Sequence, residues 1–401
     1  MTEKDWSGLW GLDPEIVFLN HGSFGACPRA ILREQFRLQE RLEFEPVRFY
    51  MRDLMQLHDD AREALAGFVG SAPENLVFVN NATTGVNTAI RSIPFEPGDE
   101  VLVTDHEYPA SRNALDFIAA RRGAVVKPVS VPFPSAGDDE VVSIVLDAVG
   151  PRTRYALLDH ITSQTGMLLP IKALVRELKA KGVETIVDGA HAVGMVPLEL
   201  DELGAAYFTS NCHKWLCTPK GAAFLHIRPE FQELTRPLVL SHGASQSHSD
   251  RPHHWIEFDW AGTSDPTAHL VIPAAIEYLG GLLPGGWDEL RQRNHDLAIE
   301  SRNILCRALD IEAPTPDSMI GTLVGLPLPD GVGEPGGSIF DADPLTVKLT
   351  ERNITVPIVD WPRWPKRLIR TSSQLYNRIE HAEILAAALQ ELLKDPTLGV
   401  Q

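Results

Sequence analysis

Three polar signals in this chain follow apolar runs, and each could do chemistry. Asn80-Asn81-Ala82-Thr83-Thr84-Gly85 is a small polar turn ahead of a helical stretch. Backbone N–H groups and hydroxyls at a helix N-terminus suit a phosphate, although a plain helix cap by Thr83 or Thr84 would use the same residues. Asp188, in Asp188-Gly189-Ala190-His191, ends a second run. A buried carboxylate there needs a cationic partner; a helix cap or a structural ion pair explains it as simply. Lys214, in Ser210-Asn211-Cys212-His213-Lys214-Trp215, ends a third. Desolvation disfavours its ammonium and makes it a candidate amine nucleophile for a carbonyl, with a surface ion pair as the alternative. Phosphate cradle, acid and amine, in that order on one sheet, match what pyridoxal phosphate demands: donors for its phosphate, an acid for its pyridine nitrogen and an amine for its aldehyde.

The elements that must position these groups are short apolar runs alternating with helix-length segments. Leu76–Val79, Glu100–Thr104, Val125–Val129, Tyr155–Asp159, Glu184–Val187, Tyr207–Thr209 and Ala222–Ile227 read as seven strands. Their spacing predicts a three-layer α/β fold with a mostly parallel sheet. Ligands of such sheets lie beyond the carboxyl ends of the strands. Glycines just ahead of strands, at Gly98, Gly123 and Gly182, suit left-handed helix ends. Ala30 to Phe68 carries apolar residues at helical spacing, as do Ala268–Leu282 and Trp287–Leu309. Residues 235–268 read as a long irregular segment rich in His, Ser and Trp, and Gly331–Gly337 as a surface loop. The expected organisation is an N-terminal segment (1–19) joining a small domain, a large domain (20–267) and a smaller C-terminal α+β domain (268–401).

Composition removes several function classes. With 36 Lys and Arg against 54 Asp and Glu, the net charge is −18, which disfavours nucleic acid and anionic membranes as partners. No apolar run approaches the ~20 residues of a membrane span. Met1–Trp6 lacks the basic and apolar regions of a signal peptide. Cys27, Cys212, Cys217 and Cys306 lack metal-type pairing, and the histidines near residues 241–260 (His242, His248, His253, His254) lack carboxylate-bracketed spacing. No metal is expected, and a reduced cytoplasmic protein is. A non-catalytic dinucleotide binder is disfavoured, because no Gly-x-Gly-x-x-Gly follows the first strand and Lys214 would go unexplained.

Asp188-Gly189-Ala190-His191 followed by Asn211-Cys212-His213-Lys214-Trp215 resembles the class V aminotransferase superfamily of fold-type I pyridoxal-phosphate enzymes. Asn20-His21-Gly22-Ser23-Phe24-Gly25, Asp105-His106-Glu107-Tyr108 and Ser163-Gln164-Thr165-Gly166 are most similar to isopenicillin N epimerase-like proteins. The resemblance implies that Lys214 binds the cofactor and moves the substrate Cα proton, with Asp188 pairing the ring nitrogen. It implies phosphate contacts from Thr83, Thr84 and His213 with Asn211 nearby, and places Ser163 and His191 near the ring. His106 is the expected ring-stacking residue and Tyr108 the competing one. Thr263 would reach the phosphate of a neighbouring subunit, making a homodimer with shared active sites. Arg370 would bind the carboxylate of a small amino-acid substrate, with Asn20 and His21 as further contacts; Arg48 reads either as a second anion contact or as a helix-face surface charge. Family epimerases carry arginine at Ser264, a departure that touches substrate choice. Ile354–Ile369 has no cysteine, which disfavours a persulfide-forming desulfurase. Epimerisation, C–S β-elimination and transamination remain, with epimerisation first.

Overall fold

The computed structural model describes residues 5–246, 251–334 and 342–399. His248 and residues 335–337 of the glycine-rich loop lie outside them. Seven strands form the central sheet: β1 (Leu76–Val79), β2 (Glu100–Thr104), β3 (Val125–Val129), β4 (Thr153–Asp159), β5 (Glu184–Asp188), β6 (Tyr207–Ser210) and β7 (Ala223–Ile227). Their order is β1-β7-β6-β5-β4-β2-β3, and only β7 runs antiparallel to its neighbours. Each expected strand lies within two residues of the observed one.

The central strands are continuous apolar runs because both faces are covered. Successive side chains point to opposite faces. Leu102, Ala156, Leu158 and Val187 enter one core; Val101, Val103, Leu157 and Ile186 enter the other. Gly123 ends the helix Pro109–Arg122 at φ +73°, and Gly182 (φ +77°) precedes β5. The amphipathic stretch near the N-terminus is two helices, Arg29–Phe44 and Leu54–Val69, separated where Pro46 interrupts the pattern.

A three-stranded antiparallel sheet, β8 (Leu323–Leu328), β9 (Ile358–Asp360) and β10 (Arg367–Ser372), packs under the helices Gly286–Leu309 and Ile379–Leu392. Val17–Phe18 pairs in parallel with Ile354–Thr355. The segment read as irregular holds a 3-10 turn, His242–Ser245, and a seven-residue helix, His253–Asp259. That helix is too short for periodicity to reveal it. No described helix is long and apolar enough to cross a membrane.

Candidate active site

The end of β6 delivers Lys214. The chain turns through Asn211–Lys214, with the Lys214 N–H donating to the Asn211 carbonyl (3.2 Å) and the His213 N–H to Ala222 (3.2 Å). Gly25 at φ +71° lies against the His213 carbonyl and the Lys214 Cα, where a side chain would collide. His21 Nε2–H donates to the Lys214 carbonyl (2.9 Å), so its Nδ1 accepts from the Tyr376 hydroxyl (2.9 Å). Burial pushes His21 down to about 3, which keeps it neutral. His21 therefore fastens the lysine turn, with both ring nitrogens engaged.

Lys214 Nζ lies 3.1 Å from His191 Nε2. Trp215 Nε1–H, a donor only, points at His191 Nδ1 (3.3 Å). The neutral His191 thus carries its proton on Nε2 and offers it to an uncharged amine. Burial, and next the Arg370 charge, pull Lys214 from 10.5 to about 7, while Asp188 and Asp159 pull the other way. About half the amine is therefore uncharged at neutral pH, the form that attacks a carbonyl.

Asp188 closes β5. Its Oδ2 accepts from Ser111 Oγ (2.8 Å) and its Oδ1 from the Ala190 N–H (3.0 Å). Burial raises its pKa, opposed by Ser111, Ala190 and the Lys214 charge. Asp188 and Lys214 lie close enough for each to bear on the other's charge.

Beside them, β1 leads into the helix Ala82–Ser92. Its cap is Asn81, whose Oδ1 takes the Thr84 N–H at 2.8 Å and its hydroxyl at 3.1 Å. Asn211 Oδ1 takes the Ala82 N–H (2.8 Å), tying this turn to the lysine turn. Gly85 lets the helix lie against Thr209 of β6. Among the described residues, no hydrogen bond engages the N–H or the hydroxyl of Thr83. An amine poised near neutrality, a carboxylate held by two donors and unengaged donors at a helix start fit pyridoxal phosphate. His213 Nδ1–H donates to Ala222 (2.9 Å), leaving Nε2 open.

Arg370, from β10, is buried against this cluster. It donates to the Ser163 carbonyl, to Ser163 Oγ (3.4 Å) and to Ser23 Oγ (2.9 Å), and Ser23 in turn donates to Asn20 Oδ1 (2.6 Å). No acidic side chain pairs with it among the described residues. Burial lowers even this guanidinium to about 10.

His106 is placed differently from expectation. Its Nε2–H donates to Val131 (2.9 Å), its Nδ1 meets Thr165 Oγ1 (2.8 Å), and its ring packs on Trp361 with centroids 4.6 Å apart. Only 1% of it is exposed, and that contact belongs to the β9 end rather than to Lys214. Tyr108, two residues on, is 42% exposed and lies near Arg370. Arg48 stays on the surface, 4.0 Å from Asp53 and 61% exposed, as a helix-face charge would be. Thr263 is exposed on the rim of a cavity of about 560 Å³ that Thr84 and Thr88 also line.

Sequence reasoning missed Ser23, Ser111, Tyr376, Glu107 and Asp159 as site residues. Ser23 and Glu107 sit inside motifs already quoted, and Asp159 ends its strand as Asp188 does. Ser111 and Tyr376 carry no local signal.

The class V aminotransferase profile matches residues 47–327. The chain is 35% identical to the isopenicillin N epimerase of Amycolatopsis lactamdurans, over 96% of each chain. It is 32% identical to a probable chloroplastic L-cysteine desulfhydrase of Arabidopsis thaliana, over 96% of this chain and 84% of that one. A cystine C–S lyase structure superposes with TM-score 0.77 at 23% identity, covering 94% of this chain and 98% of that one. On the class V profile and these relatives, the chain belongs to the class V aminotransferase family and is a pyridoxal-phosphate enzyme with an isopenicillin N epimerase-like sequence.

Proposed function

We propose that this enzyme acts at Cα of a free amino acid or a small molecule containing one, with epimerisation as the first reading. The observation that carries it is Arg370: a buried guanidinium without an acid, close enough to the lysine amine for its charge to help hold that amine near neutrality. A bidentate fork of this kind fixes the plane of an α-carboxylate, and Ser23 and Ser163 fix the plane of the fork.

Bound pyridoxal phosphate supplies an electron sink that acidifies the Cα–H of the amino acid held on it. Lys214 would hold the aldehyde end of the cofactor and would carry the proton at the substrate Cα. Asp188 keeps a proton on the ring nitrogen, oriented by Ser111 and the Ala190 N–H. Thr83, Thr84, Asn211 and His213 form the phosphate end. Tyr108 covers the ring, replacing His106 in that role, and His191 steers the lysine amine. Thr263 of a second copy completes the phosphate site. In support of a homodimer, the apolar side chains of Phe36, Phe44, Val47 and Met51 are exposed along one helical stretch of the chain. The Val17–Phe18 pairing supports assigning residues 1–19 to a small domain with 268–401, the large domain being 20–267. A cytoplasmic location is part of the same reading.

The desulfhydrase and C–S lyase relatives favour β-elimination as the second reading. Incubation with amino acids in deuterated water decides between them. Deuterium at Cα with inversion supports epimerisation; pyruvate with sulfide supports elimination. A loaded enzyme that exchanges no Cα hydrogen with any amino acid tested would refute both.

A further inference from the structure

Behind Asp188 lies a group of acids that the chemistry above does not use. Oxygens of Glu107, Asp159 and Asp188 all lie within 4.8 Å of one another, and all three side chains are buried. The fold forces this meeting. Asp159 and Asp188 are register partners at the ends of β4 and β5, and Glu107 sits in the turn after β2, its N–H on the Thr104 carbonyl (3.3 Å). The three are not equivalent. Asp188 receives Ser111 and the Ala190 N–H, whereas neither oxygen of Glu107 nor Oδ2 of Asp159 has a donor.

A buried carboxylate without a donor is costly, and three adjacent anions more so. The groups that face the cluster are few. The lysine turn contributes Lys214, which acts on Asp159 and Asp188. The helix Pro109–Arg122 contributes only the neutral Ser111. His160, next to Asp159, is kept neutral by burial. No Lys, Arg or His ion pair reaches Glu107 or Asp159 among the described residues. The Tyr108 N–H bears on Glu107 from the backbone, and the Glu107 and Asp159 side chains bear on each other as hydrogen-bond partners, which requires that one of them supply an O–H.

We propose that Glu107 and Asp159 share one proton, as a carboxylic acid–carboxylate pair that leaves Asp188 as the ionised acid facing the ring nitrogen. The proton is taken from solvent as the chain folds, and it bridges a Glu107 oxygen and an Asp159 oxygen. Burial first, then repulsion from Asp159 and Asp188 at Glu107 and from Asp188 at Asp159, pushes both well above the usual carboxylate range, while the hydrogen bond from Glu107 pulls Asp159 back down. The donors at Asp188 decide which acid keeps its charge. Glu107 and Asp159 are positioning residues: they touch no substrate, and they fix the charge at the residue that pairs with the cofactor. This deepens the role proposed for Asp188, yet its test needs no turnover and so can fail independently of it.

The test is infrared spectroscopy of the cofactor-free full chain at neutral pH in deuterated water. The wild type should show the C=O stretch of a protonated carboxylic acid. Glu107→Gln and Asp159→Asn should each remove it, because an amide N–H replaces the shared proton, and both should still bind pyridoxal phosphate. Asp188→Asn should keep the band. Glu107→Leu, which leaves Asp159 without a donor, should weaken cofactor binding at least tenfold. Absence of the band in the wild type overturns the proposal whatever the variants do. So does its loss in Asp188→Asn with survival in the other two, which would put the proton on Asp188. Manganese chloride that binds the wild type stoichiometrically, but not Glu107→Gln, would show a cation in place of the proton. If one amide variant fails to fold by circular dichroism, the other carries the same comparison.

Discussion

Replacing Arg370 tests two consequences of one buried charge. In the complete site its guanidinium would give a substrate carboxylate two charge-assisted hydrogen bonds, worth roughly 1.5–3 kcal/mol each. Losing both costs about 3–6 kcal/mol of transition-state binding, on the order of 10²–10⁴-fold in kcat/KM. The same charge is also the second-largest cause, after burial, of the lowered Lys214 pKa near 7. Arg370→Gln removes that repulsion, so the amine holds its proton more tightly. Capture of pyridoxal phosphate by the cofactor-free chain requires the uncharged amine, so its pH midpoint should move up from about 7. Arg370→Lys keeps the charge but not the fork, so it should lower kcat/KM while leaving the midpoint in place. The assay is stopped-flow absorbance of cofactor capture across pH, paired with Cα-exchange kinetics. A Gln variant with an unmoved or lowered midpoint, or a Lys variant with full kcat/KM, would refute the reasoning.

Three further outcomes follow from the geometry. Tyr108→Ala should weaken cofactor binding and shift the cofactor absorbance, whereas His106→Asn should leave the band where it is; fluorescence titration and absorbance spectra check both, and the reverse pattern restores His106 as the stacking residue. Gly25→Ala forces a Cβ onto the His213 carbonyl and the Lys214 Cα at φ +71°, and should cost more than ~2 kcal/mol in denaturant unfolding along with most cofactor binding. Burial holds His21 at about 3 and His160, His213 and His269 at about 4; since the unfolded chain binds their protons near 6.5, stability should fall as pH drops from 6.5 towards 4, by up to about 5 kcal/mol per pH unit if all four titrate together, and a flat unfolding midpoint over that window would contradict the buried neutral assignment.

The large sheet was legible because strands covered on both faces must be continuous apolar runs, and these are bounded here by glycines such as Gly123 and Gly182. Lys214 and Asp188 were legible for the same reason: a charged residue ending such a run is conspicuous. The pair His106 and Tyr108 was not, since both lie in one turn and only the backbone path decides which side chain turns towards β9 and which towards Arg370. The place of His21 at the lysine turn was hidden because its partner, the Lys214 carbonyl, is 193 residues away and no local pattern reports it. The Glu107–Asp159 contact was equally hidden: it exists through the register that sets Asp159 beside Asp188. Arg48 stood between an anion contact and a helix-face charge, because residue type alone does not separate the two, and it lies on the surface beside Asp53.

The central claim is that one amine, and no other, binds the cofactor. Borohydride reduction of the loaded enzyme followed by peptide mass mapping tests it directly. The account predicts the reduced pyridoxyl mass on Lys214, and neither label nor cofactor absorbance in Lys214→Ala. Label on Lys220, the partly buried lysine that donates to the Gly25 carbonyl at 2.9 Å, or a Lys214→Ala protein that keeps its band, would contradict it.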